Sequence, residues 1–126
     1  MADSRGPAAD RSGFVYEAWV RLAAGADSRA LGGAVTVALC GHWEHEGACT
    51  WPHNVRVGEH VDGMLAVRVV AVSAQAEQAV VMQLIDGALA VGRLAGPDGA
   101  SQWSVIRAGS AELTADERAL VARLNR

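Results

Sequence analysis

The chain contains no lysine: all eleven of its basic residues are arginine, in a sequence of 126 residues. That absence excludes Schiff-base catalysis, a P-loop lysine on a phosphate and a kinase-type ATP site. Phenylalanine and tyrosine occur once each, so the aromatic content rests on four tryptophans. Long apolar runs are missing too. The best of them, residues 64–72, is interrupted by Arg68, and no stretch has the order of a signal peptide. Nor is there a surplus of positive charge. The formal net charge of −3 speaks against a nucleic-acid partner, whose affinity rests on neutralised phosphates. The expectation is a cytoplasmic protein without a membrane segment, whose partner is a protein or a small-molecule ligand and whose oligomeric state is open.

What the chain does have is concentrated. Both cysteines and all four histidines fall between Cys40 and His60, and the stretch 40–54 holds Cys40, His42, His45, Cys49 and His53. Imidazole nitrogen and thiolate sulfur are the ligands of zinc. Cys40 and His42, two apart, share one side of an extended chain. Cys49 and His53 share a face if residues 50–53 make one helical turn, for which Pro52 suits the first position. Cys40, Cys49 and His53 with His42 or His45 make a Cys₂His₂ set, and Glu44 and Glu46 stand ready as outer-sphere acceptors. The spacing differs from the tight knuckles of zinc fingers.

Two functions follow. In the first, a small zinc-binding protein uses its Cys/His loop as a metal-stabilised element that binds a ligand or partner. In the second, three protein ligands leave a zinc-bound water, Glu44 or Glu46 is the base, and the protein is a small hydrolase or lyase. His60, flanked by Glu59 and Asp62, is a further proton-transfer candidate against its ordinary reading as a solvated surface histidine. Metal-free alternatives remain for the same residues. The cysteines are small core hydrophobes, form a Cys40–Cys49 disulfide, or supply a thiolate activated by a neighbouring imidazole.

For the fold, residues 14–23 alternate, with Phe14, Tyr16, Ala18, Val20 and Leu22 on one face and Val15, Glu17, Trp19 and Arg21 on the other. Residues 34–40, with β-branched Val35, Thr36 and Val37, read as the antiparallel partner strand; residues 64–72 read as a central strand. A helix is expected over 75–86 with Ser73 as N-cap, ended by Asp86-Gly87 or continued past the glycine through 88–90. A turn at 96–99 and a strand at 102–108 follow. Thr114 and Glu117 make a capping box for a final helix bearing Leu120, Val121 and Leu124. The resulting prediction is one α+β domain over 14–126 behind a disordered tail, 1–13. Its sheet is mainly antiparallel, in the order β-β-loop-β-α-β-α, with the helices on one face. Trp43 and Trp51 are expected to pack the loop onto the sheet, with Trp19 as a candidate neighbour; the alternative is that they form a ligand-binding wall. Arg56, Arg68, Arg93 and Arg107 are able to bind an anionic group, but scattered arginines at strand positions are ordinarily solvated or paired, and that is the reading adopted for them.

Overall fold

The computed structural model describes residues 11–40, 51–96 and 99–125. Strand β1 (Arg11–Leu22) leads into helix α1 (Arg29–Cys40). Strands β2 (His53–Val57) and β3 (Leu65–Ala74) follow, then a 3-10 turn (Gln75–Glu77) and α2 (Gln78–Val91). The chain continues through β4 (Arg93–Gly96) and β5 (Gly99–Ala111) to α3 (Ala115–Leu124). The five strands form one antiparallel sheet in the spatial order β2-β3-β1-β5-β4. In both β1-α1-β2 and β3-α2-β5 the two strands are separated by a third, which is the split βαβ, ferredoxin-like pattern, here with β4 added at one edge.

The alternation read in β1 is what the structure shows. Tyr16, Ala18 and Val20 are buried against α1 and α2, while Val15 packs on the other face with Val70 and Leu120. Strand β3 is apolar almost throughout because it is interior and covered on both sides, with Val67 and Val69 beneath α1 and α2 and Val70 beneath α3. The capping box also forms. Glu117 N donates to Thr114 Oγ1 at 3.2 Å and Thr114 N donates to Glu117 Oε1 at 2.9 Å.

Several expectations are corrected. Residues 34–40 are helical, not a strand. Leu31, Ala34, Val35 and Leu39 are buried along one helical face, and Asp27 holds the start of α1 by accepting from Arg29 N at 2.9 Å. That anchor is tertiary as well as local, since Asp27 N donates to Ser101 Oγ of β5. Arg11 to Gly13 belong to β1, so the part of the predicted tail that is described is strand; residues 1–10 and the turn residues 97–98 lie outside the described residues. Strand β4 was not anticipated. Ser73 stays in β3, and α2 begins after the 3-10 turn without a side-chain cap, then runs through Gly87 to Val91.

The helices also do not share one face: α1 and α2 lie on one side of the sheet and α3 on the other. Because α3 is short, it covers only the end of its face near Gly13, Val15 and Val70. Among the described residues no helix covers the other end of that face. Among the described residues no helix is long and apolar enough to cross a membrane.

Candidate functional site

Of the predicted Cys/His site residues, only Cys40, His53 and His60 fall within the described residues. His42, Glu44, His45, Glu46 and Cys49, with Trp43, lie outside the described residues. Cys40, the last residue of α1, is disulfide-bonded, and a sulfur in that state is not a thiolate. His53 opens β2 with both ring nitrogens engaged. Its Nδ1 lies 3.0 Å from the Trp51 carbonyl oxygen and its Nε2 lies 3.1 Å from Thr36 Oγ1. A carbonyl can only accept, so Nδ1 carries the proton and Nε2 accepts from the threonine hydroxyl. His60 is exposed in the β2–β3 connection. Among the described residues no three His, Cys, Asp or Glu side chains form a group that could hold a metal ion. The reading of the protein as a zinc-binding one, whether by a structural loop or by a zinc-bound water, is corrected on this finding. Trp51 packs on the α1/α2 side of the sheet, the side opposite Trp19, so those two indoles do not meet.

A different set of residues does converge, on the half of the α3 face that no described helix covers. Strand register puts them there. Trp19 of β1 lies opposite Ala66 of β3 and Arg107 of β5; Arg21 lies opposite Ser104; Arg93 of β4 lies opposite Gln102. Side chains directly opposite in an antiparallel pair share a face, so Trp19, Arg21, Arg93, Gln102, Ser104 and Arg107 form one surface. A β-bulge in β5, between the partners of Trp19 and Val20, preserves this arrangement. It leaves Ile106 as the extra residue and returns Val105 to the core side.

The electrostatics of the face divide at Arg68. Toward α3, Arg68 is fully used: Nε and Nη2 reach the two Glu117 oxygens at 2.8 and 2.7 Å, Nη1 reaches Glu17 at 2.6 Å, and Nη2 also donates to the Glu112 carbonyl. Glu117 is only 1 % exposed, and the Arg68 guanidinium pulls its pKa down to about 2. Away from α3 the arginines have no such partner. Among the described residues no carboxylate stands within ion-pair distance of Arg21, Arg93 or Arg107, and all three are exposed. Arg107 is instead held over the half-buried Trp19 ring, its Cζ 5.6 Å from the ring centroid.

Between Arg21 and Arg93 the surface sinks into a depression of about 460 Å³ whose wall includes Val91, Gln102 and Ser104. Its volume is within the range of small-ligand sites. The C-terminus of α2 ends beside it, at Gly92. The Leu89 carbonyl there is already taken by the Trp103 indole N–H at 2.8 Å and by Gly92 N at 3.1 Å, which offsets part of the helix's negative end. A second depression, about 520 Å³, runs between α1 and β2. Of its polar lining among the described residues, Arg29 is engaged by Asp27 and Thr36 by His53, which leaves Ser28 and Asn54 and no uncommitted cation to offer a ligand. The arginine face is therefore the stronger candidate.

Sequence reading named Arg93 and Arg107, with Arg56 and Arg68, as residues able to bind an anionic group. It gave this little weight against ordinary solvated or paired arginine, and did not include Arg21. The available signal was Trp19 on the polar side of an otherwise regular strand. Compared with protein families, curated proteins and solved structures, the chain finds no match, so the geometry of the chain itself carries the reading of this site.

Proposed function

We propose that this protein is a binding module whose sheet face beyond α3, centred on Trp19, Arg21, Arg93 and Arg107, receives an anionic partner. One observation carries the reading: three exposed arginines share a face and lack a carboxylate among the described residues. A guanidinium offers five fixed N–H donors and keeps its proton at any physiological pH, which suits recognition rather than acid–base work. Trp19 adds to this by orienting Arg107, so less side-chain freedom is lost when an oxyanion binds. The hydroxyl of Ser104 and the amide of Gln102 supply neutral donors in the same depression.

The test is elution from an immobilised polyanion, heparin, along a salt gradient. The native chain should elute at clearly higher salt than the Arg21→Ala/Arg93→Ala double variant. A charge-matched control, Arg118→Ala/Arg123→Ala on α3, should elute close to the native chain. Equal losses in the two double variants would show nonspecific charge only and remove the site.

A further inference from the structure

Resting on that reading, we propose that the anionic partner is an extended acidic segment of another protein, with carboxylates at alternate residues and an aliphatic side chain between or beside them. The arginines lie in three successive rows along the strands: Arg107 in the row of Trp19, Arg21 in the next, Arg93 in the row of Gln102. Successive rows on one face are two residues apart, about 6.6–6.8 Å. An extended peptide presents side chains on one side at the same interval. Arg21, Arg107 and Arg93 stand on the adjacent strands β1, β5 and β4, about 4.7–4.9 Å apart. A peptide lying over β5 therefore meets Arg107 beneath it and is reached from either side by the long side chains of Arg21 and Arg93. Each guanidinium can take a carboxylate in a two-pronged contact.

Two observations favour a protein over a nucleic acid. The first is apolar surface within the site. Val91, 73 % exposed, lines the depression between Arg21 and Arg93, and Ile106, 47 % exposed, adjoins Arg107. Aliphatic groups placed there add contact area for aliphatic side chains and nothing for a phosphodiester backbone. The second is the number of cations on the face: three arginines match a short segment with three carboxylates, whereas nucleic-acid affinity grows with each phosphate neutralised.

The experiment is fluorescence anisotropy with the full chain and three labelled probes. One is a peptide alternating glutamate with valine and serine, the second its glutamine counterpart, and the third an oligothymidylate of similar length. The glutamate peptide should bind. The glutamine peptide should bind at least tenfold more weakly, and Arg21→Ala and Arg107→Ala should each cost the glutamate peptide on the order of tenfold. Val91→Ser should weaken it severalfold. All three positions are exposed, and unchanged melting curves confirm that the variants remain folded. If the oligothymidylate binds through Arg21 and Arg107 while the glutamate peptide does not, the acidic-segment proposal is overturned and the anionic-partner reading survives. If no probe binds, both are overturned.

Discussion

Arg68 and Glu117 meet in a two-pronged ion pair, Nε–Oε2 at 2.8 Å and Nη2–Oε1 at 2.7 Å, that fastens α3 to the middle of the sheet. Glu117 is also the N3 residue of the α3 capping box, so one carboxylate closes the helix end and docks the helix at once. Breaking one partner of such a pair leaves the other charge without compensation.

This pair makes stability depend on acid. The folded-state pKa of Glu117 lies at about 2, below its ordinary value of 4.5. A depressed carboxyl pKa stabilises the fold above the unfolded value and loses that contribution as pH falls toward the folded one. Urea unfolding between pH 7 and pH 2 should therefore show a stability nearly flat above pH 5 and falling by about 2–3 kcal/mol below it. In Glu117→Gln this fall should be much smaller, with lower stability at pH 7. The same acid slope in both proteins would remove Glu117 as its source.

Gly92 caps α2 in the left-handed region at φ 72°, and a Cβ there would stand 2.8 Å from the Trp103 carbonyl oxygen. Backbone strain and backbone collision act together at this position, so Gly92→Ala should cost more than about 1–2 kcal/mol. Thermal unfolding would register this as a drop of several degrees. A melting curve unchanged within 1–2 °C (on the order of a few tenths of a kcal/mol) would mean that β5 does not approach the cap this closely.

On the α3 face, Gly13 is the seat of Val121: a Cβ on Gly13 would fall inside van der Waals contact of both Val121 methyls. Gly13→Ala should lift α3 and destabilise by about 1–3 kcal/mol. Adding Val121→Ala should recover part of that loss, because the second change opens the space the first one fills. Strictly additive effects of the two substitutions would show that they do not touch.

Trp19 orients Arg107 without itself supplying charge. Trp19→Leu should weaken binding of inorganic tripolyphosphate by roughly two- to fivefold, the value of an exposed cation–π contact. In an Arg107→Ala background the same change should do little. An undiminished effect of Trp19→Leu in that background would place the indole in direct contact with the ligand and end its role as a positioning residue.

Elements whose patterns are local were legible in the sequence. The two-residue period of β1, the apolar run of β3 and the Thr114/Glu117 capping box each specify their conformation within a few residues, and each is present. Helix α1 was misread because Gly32 and Gly33 weigh toward a turn and the β-branched Val35, Thr36 and Val37 toward a strand. Packing of Leu31, Val35 and Leu39 beside α2 outweighs that preference. The zinc reading rested on proximity along the chain, which does not establish proximity of ligand atoms in space.

By itself the sequence determined the charge chemistry and the faces: arginine as the only side-chain cation apart from histidine, Trp19 on the polar side of β1, and a self-capped final helix. Only the tertiary structure decided which arginines share a face. Arg21, Arg93 and Arg107 come from three strands, and their common face depends on hydrogen-bond register and on the bulge that keeps β5 in phase with β1. A shift of one residue turns every side chain of a strand to the opposite face, and residues far apart in sequence carry no local signal of that pairing.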